Sequence, residues 1–324
     1  MAAHIVVTGG AGFIGRAVVE RLVARGDRVT ALVRDPAKAA HLGDQVELVH
    51  SDLTDATTLE GAFRGADAVV HGAGFYAVGI PVAEHPAMWD ANVGTTERVL
   101  DAAIAAGVPR IAYISTINVF GNTHGRIVDE TYRRNLDEGF LSYYDETKHR
   151  AHEAAETRIG AGAPIVIAMP GQVYGPHDHS LASEQLALAH AGKLRYIAVP
   201  DLGCAWVHVH DLADGIVAAL DRGRLGESYS LGGDIRRMDR SIAMAARIGG
   251  HRPPLLKVPN VLLRIAAPLN DRVGGLPLMP ENLKETISAG AGVTYWANHD
   301  KASRELGFVA RSLEQGIVDT WGRA

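Results

Sequence analysis

The sequence predicts an α/β fold, a doubly wound parallel sheet with a smaller, mostly helical C-terminal cap. Three observations carry that reading. Short β-branched runs alternate with helix-length segments through the first 115 residues, a glycine-rich turn joins the first run to the first helix, and the rhythm loosens after Pro170.

Taken in order, His4 to Val7 reads as the first strand. The following helix places Ile14, Ala17, Val18 and Leu22 on one face and ends near Gly26. Val29 to Val33, Val46 to Val49, Ala68 to Val70 and Ile111 to Ile114 are further strands, short and apolar enough to be buried on both faces. Val93, Leu100 and Ile104 mark a helix ending at Gly107, a long helix begins near Tyr143, and Ile165 to Ala168 give a sixth strand. Six strand–helix repeats in series describe a doubly wound sheet. Beyond Pro170 come a helix from Leu181 to Ala191, a strand from Trp206 to Val209, and a helix from Asp211 to Leu220 with Asp211 as its N-cap. The tail from about Ser241 reads as mostly helical, punctuated by Pro253, Pro254, Pro259, Pro268, Pro277 and Pro280. Residues 1–176 with about 206–232 form the predicted nucleotide domain, and about 177–205 with 233–324 the substrate-binding cap.

Composition narrows the function. Thirty-two Lys and Arg against 37 Asp and Glu give a net charge of -5, which leaves no basic face for nucleic acid and no polybasic membrane patch. No uncharged apolar run approaches the ~18 residues of a bilayer span, so a soluble, cytoplasmic chain without nucleic-acid or membrane partners is expected. Cys204 is the single cysteine, which removes intrachain disulfides, thiolate zinc sites and dithiol redox chemistry. His177-Asp178-His179 and His208-Val209-His210 each offer two imidazoles, but no metal site is predicted.

The segment from Thr8 to Gly15 holds glycines at a spacing of three, directly after a strand and opening a helix. That is the Rossmann dinucleotide fingerprint in its required context. Gly9 and Gly12 let the backbone approach a pyrophosphate, Gly15 lets helix and strand pack closely, and the amides of the helix start, through Phe13 and Ile14, face the anion. An acid ending the second strand would select NAD, whereas an Arg there suits a 2′-phosphate. The acid position falls on Val33, with Arg34 next and Lys38 and His41 close behind, so NADP is favoured; Asp35 keeps NAD open. Asp52 stands where it could meet the adenine edge or cap the following turn.

Tyr144 and Lys148 stand four apart on the predicted long helix and share a face; Tyr143 has no such partner. Heads ~4 Å apart in an effective dielectric near 20 would favour phenolate by roughly 4 kcal/mol, lowering a tyrosine pKa from ~10 by up to ~3. Such a tyrosine could exchange protons near neutral pH.

These blocks, with Asp52-Leu53, His71-Gly72-Ala73, Asn92-Val93-Gly94-Thr95, Ser115-Thr116 before Val119-Phe120-Gly121, Pro170 with Val173-Tyr174-Gly175-Pro176, and His208-Val209-His210-Asp211, resemble the extended short-chain dehydrogenase/reductases, the NAD-dependent epimerase/dehydratase family. Arg34-Asp35-Pro36 and the stretch from Leu225 to Gly233 resemble its dihydroflavonol-reductase-like branch. The resemblance implies that Tyr144 is the acid/base and that Lys148 lowers its pKa and binds the nicotinamide ribose. It also implies that Thr116, or Ser115 if the turn shifts by one, bonds the reacting oxygen. Gly72, Ala73, Asn92, Pro170 and Val173 are implied around the cofactor, and the helices at about 86–106 and 143–160 resemble those of a family homodimer interface.

Departures point to the substrate. The Arg that clamps a sugar-nucleotide diphosphate is missing from Leu202, Gly203, Cys204, Ala205 and Trp206, and Met169 precedes Pro170 where an Arg is frequent. Tyr76, Tyr174, Trp206 and Met169 would instead make an aromatic, apolar pocket for a small uncharged carbonyl compound. An NADP-dependent oxidoreductase with a Thr116, Tyr144, Lys148 triad is the leading expectation. An NAD-dependent sugar epimerase or dehydratase with tightly held cofactor is the alternative, and a non-catalytic nucleotide sensor a third.

Overall fold

The computed structural model describes residues 2–259, 261 and 282–324. Pro268, Pro277 and Pro280 lie outside the described residues. Seven parallel strands form the central sheet: β1 (His4–Thr8), β2 (Arg28–Val33), β3 (Val46–His50), β4 (Ala68–His71), β5 (Ile111–Ile114), β6 (Ile165–Pro170) and, later in the chain, β10 (Ser228–Leu231). Their order is β10-β6-β5-β4-β1-β2-β3, so the chain reverses direction between β1 and β4 and opens a crevice at their carboxyl ends. The apolar runs behave as their composition demands. Ile5, Val6 and Val7 of β1 and all four residues of β5 are buried, because helices cover both faces.

Helix α1 (Phe13–Ala24) turns Ala17, Val18 and Leu22 into the core, and Gly26 ends it in the left-handed conformation at φ 90°. Between β2 and β3 the crossover holds only a 3₁₀ turn, Ala40–Leu42, instead of a helix. Helix α2 (Ala56–Phe63), capped by Asp55, precedes β4. α3 (His85–Trp89) and α4 (Thr95–Ala105) are joined by a π-helical turn, Asp90–Gly94, which contains Asn92. α5 (Tyr143–Gly160) begins where the sequence predicts, with Ser142 Oγ accepting from Asp145 N at 3.0 Å.

Beyond β6, β7 (Gln172–Tyr174) leads through α6 (Leu181–His190) and β8 (Tyr196–Ile197) to β9 (Gly203–His208). α7 (Val209–Arg222), β10, β11 (Asp234–Arg237) and α8 (Met238–Ile248) follow, then β12 (Leu256–Lys257), α9 (Leu283–Gly290), α10 (Asp300–Leu306) and α11 (Leu313–Trp321). β11, β9 and β7 make a three-stranded second sheet, all of it before Ser241, and the described tail beyond is mostly helical, as its pattern predicts. Asp211 is not the N-cap of α7. That place is taken by His208, and the Asp211 carboxylate is instead gripped by Arg311, with contacts from 2.6 to 3.0 Å. The last helices divide: α10 and Phe308 pack into the core of the large sheet, whereas Leu313 and Ile317 of α11 pack with Tyr174, Trp206 and α8.

Candidate active site

The nucleotide loop is built by steric necessity. Gly9 sits at φ 74°, and a Cβ there would lie 2.6 Å from the backbone of Gly72 and Ala73; at Gly15 a Cβ would collide with the Gly9 carbonyl oxygen. Gly12 is the N-cap of α1 and provides no side-chain cap, so the amides of Phe13, Ile14 and Gly15 are left for a ligand at the positive end of the helix. Close backbone approach and an uncapped helix start are what a pyrophosphate needs. His71, wholly buried behind this loop, lies 2.7 Å through Nδ1 from Thr8 Oγ1 and 3.1 Å through Nε2 from Thr96 Oγ1. Burial, reinforced by the Lys148 charge, pulls its pKa down to about 3, so it is a neutral cross-brace.

At the end of β2 the Arg34 side chain is exposed and makes no hydrogen bond or ion pair with the described residues, whereas Asp35 is occupied by the amides of Ala37 and Lys38. Asp52 is exposed and accepts from Thr54 N at 3.1 Å, the turn-capping role open to it; Leu53 is half-buried and its carbonyl accepts from Arg98. Asn92 fastens two elements. Its Oδ1 accepts from Phe75 N at 2.7 Å, and its Nδ2 donates to Phe75 O and to Thr147 Oγ1, each at 2.9 Å, tying the loop after β4 to α5. π-Turns of this kind recur at functional sites. Pro170 ends β6 beside Leu231, and Val173 is half-buried in β7.

Tyr144 lies in the wall of an open cavity. The Tyr76 ring stands edge-on to it, 4.8 Å between centroids. Val78, Ile117, Leu202, Cys204, Ala205 and Ala289 supply the apolar lining; Asn118, Ser142, Gln172 and Tyr295 supply the polar points; among the described residues no lining side chain is charged. Burial pushes the Cys204 thiol up to about 12, which keeps it a neutral wall group. Thr116, buried at the end of β5, caps the Ile117–Phe120 turn by accepting from Asn118 N at 3.2 Å, which leaves its O–H free to donate. Ser115 faces the other way, 2.9 Å from His152 Nδ1.

Three expectations need correction. Tyr174 and Trp206 do not line the cavity: they pack edge to face at 5.9 Å in the core, with the Tyr174 hydroxyl pressed against Gly316 of α11. Met169 is likewise buried away from it, beside a second cavity. The third concerns charge. The Lys148 ammonium lies 3.4 Å from the Ile114 carbonyl, and burial pushes the Tyr144 phenol well above its usual range instead of below it. Burial also lowers Lys148 itself, to about 8. Gln172, Tyr295, Ala289 and Asn118 have no motif to announce them; only the tertiary fold gathers them. Among the described residues no group of three His, Cys, Asp or Glu side chains is arranged to hold a metal, and no helix is long and apolar enough to cross a membrane.

With this geometry in place, comparison defines the class. The NAD dependent epimerase/dehydratase family matches residues 5–232, and the chain belongs to it. It is therefore an oxidoreductase-type enzyme of the extended short-chain dehydrogenase/reductases, built for a nicotinamide dinucleotide. It is 28% identical over 326 residues to the 4-hydroxy-2-methyl-3-oxo-4-farnesyl-3,4-dihydroquinoline-1-oxide ketoreductase of Stigmatella aurantiaca, covering 98% of this chain and 95% of that protein. To sterol demethylase protein B of Methylococcus capsulatus it is 28% identical over 323 residues, covering 97% and 95%. Among solved structures, gox2253 superposes with a TM-score of 0.83 at 30% identity over 98% of this chain and 96% of that one. The dTDP-glucose 4,6-dehydratase DesIV of Streptomyces venezuelae, solved with NAD bound, gives 0.75 at 25% identity over 97% and 95%.

Proposed function

We propose that this protein is an NADPH-dependent reductase of a small, uncharged carbonyl compound. The observation that carries the reading is the cavity beside Tyr144, whose described lining has aromatic and aliphatic walls, a few neutral polar groups and, among the described residues, no charged side chain. A sugar-nucleotide diphosphate would leave its charges unmatched there, whereas a ketone or aldehyde needs only one well-placed donor. NADPH, when bound, supplies the hydride. Tyr144 donates the proton to the carbonyl oxygen as the C–O bond gains negative charge, and the Thr116 hydroxyl, held by Asn118 N, orients that oxygen. Lys148 holds the cofactor ribose. A phenol kept protonated by burial suits this direction of chemistry, since reduction consumes a proton and oxidation would need a phenolate base. Arg34, exposed at the end of β2 and unpaired among the described residues, would meet the 2′-phosphate.

A cytoplasmic homodimer formed through α4 and α5, and a boundary between nucleotide and cap regions near 176, 206 and 232, belong to the same proposal; sedimentation velocity would test the dimer. The function itself is tested by incubating the purified protein with NADPH and uncharged carbonyl probes such as cinnamaldehyde and acetophenone, and by releasing any retained nucleotide with acid. One NADPH oxidised per carbonyl reduced, and no stoichiometric retained NAD, is the expected result. Retained NAD with no net consumption of NADPH would assign the epimerase or dehydratase reading instead.

A further inference from the structure

One carboxylate ties together three walls of the cavity. α9 opens with a capping box: Asn282 Oδ1 accepts from Glu285 N at 3.1 Å, with Glu at the third helical position. In an ordinary box that glutamate reaches back to the N-cap amide. Here the amide is already engaged, because Asn282 N donates to Gly79 O at 3.1 Å. The Glu285 carboxylate is thereby released to bridge two helices. Its Oε2 accepts from Asn282 Nδ2 at 2.9 Å, and its Oε1 accepts from Tyr143 N at 2.6 Å, in the first turn of α5.

That bond does two physical jobs. Ser142 satisfies only Asp145 N, so Glu285 partners a further amide of the α5 start and places negative charge at the helix's positive end. It also fixes distances. Gly79 closes the loop that carries Tyr76 and Val78, Ala289 lies one turn further along α9, and Tyr143 is followed directly by Tyr144; all but Gly79 and Tyr143 line the cavity. Tyr295, another lining residue, is pinned to the same helix by its hydroxyl, which donates to Ala289 O at 3.1 Å.

We propose that Glu285 is a positioning residue for substrate binding. Through Tyr143 N and, by way of Asn282, through Gly79, it sets the width of the cavity. The inference rests on the reading of this cavity as the carbonyl site, and it concerns substrate fit, not cofactor binding, because none of these groups belongs to the nucleotide loop.

The test compares Glu285→Ala and Glu285→Gln in the full chain, by amide hydrogen exchange of peptides spanning residues 76–80 and 141–147, NADPH affinity, and steady-state kinetics with cinnamaldehyde. Glu285→Ala is expected to speed exchange at both segments at least tenfold and raise KM about tenfold, with kcat and NADPH affinity within threefold of wild type. Glu285→Gln keeps an acceptor for Tyr143 N and is expected to recover most of both effects, which a general loss of folding would not allow. Unchanged exchange in Glu285→Ala, or faster exchange with KM unmoved, overturns the proposal. The exchange measurement needs no turnover, so faster exchange in a wild-type background that reduces no carbonyl probe would leave the latch standing and remove the reductase reading alone.

Discussion

Replacing Tyr144 with Phe removes one oxygen and little else. The ring keeps its edge contact with Tyr76, and no hydrogen bond of the Tyr144 hydroxyl is found among the described residues, so folding should change by no more than ~0.5 kcal/mol. The nucleotide loop lies on other elements, so NADPH affinity should stay within threefold. Turnover is another matter. A positioned general acid contributes typically about 10²- to 10⁴-fold, or roughly 2.7 to 5.4 kcal/mol of barrier. The expected outcome with cinnamaldehyde is a kcat lowered by at least a hundredfold, with the thermal midpoint and NADPH titration nearly superimposable on wild type. Turnover within threefold of wild type would refute the assignment of the proton to this phenol.

Other outcomes follow from named side chains. Arg34→Ala should weaken NADPH by tenfold or more, about 1.4 kcal/mol, and leave NADH within twofold, measured by fluorescence titration; equal losses would remove Arg34 from the 2′-phosphate. Lys148, lowered to about 8, should lose its ammonium as pH rises through that value, so reduction should decline on the alkaline side of pH 8 in a kcat/KM profile. His71 has a folded pKa of about 3 against 6.5 unfolded, so between those values the unfolded chain takes up a proton the native state refuses. Stability should therefore fall as pH drops from 6.5, by an upper bound of about 5 kcal/mol at pH 3. Urea titrations at pH 7 and pH 5 should show a smaller acid loss in His71→Asn, which has no ring to titrate, and equal losses would contradict the neutral-brace role.

Much of the fold is legible because its signals are local. β1, β2, β5 and β6 are short apolar runs that must be buried on both faces, and α5 begins at Ser142 because a serine followed by acids is a strong helix start. The nucleotide loop is equally readable, since Gly9 and Gly15 answer to contacts within a few residues or with one neighbouring strand. Failures occur where a remote partner decides. An acid at the start of a helix is as good an N-cap as an ion-pair partner, and only the fold brings Arg311 to Asp211. Tyr174 and Trp206 read as pocket aromatics until α11 covers them. β10 is hidden because Ser228 and Ser230 interrupt its apolar pattern, although pairing with β6 buries three of its four residues. The Tyr144–Lys148 spacing correctly sets both residues on one helix, but spacing cannot tell where the ammonium points, and Ile114 O claims it. The capping box of Asn282 and Glu285 has a local signature; its redirection to Tyr143 has none.

The central claim is that hydride passes from the dinucleotide to a carbonyl carbon in this cavity while the adjacent oxygen takes a proton. Mass spectrometry of the alcohol formed from cinnamaldehyde or acetophenone with C4-deuterated NADPH tests it most directly. The account predicts one deuterium on the carbinol carbon per NADPH oxidised, with none incorporated when unlabelled NADPH is used in deuterated water. An alcohol without label from the cofactor, or a purified protein that holds NAD and oxidises no NADPH with any uncharged carbonyl, would contradict it.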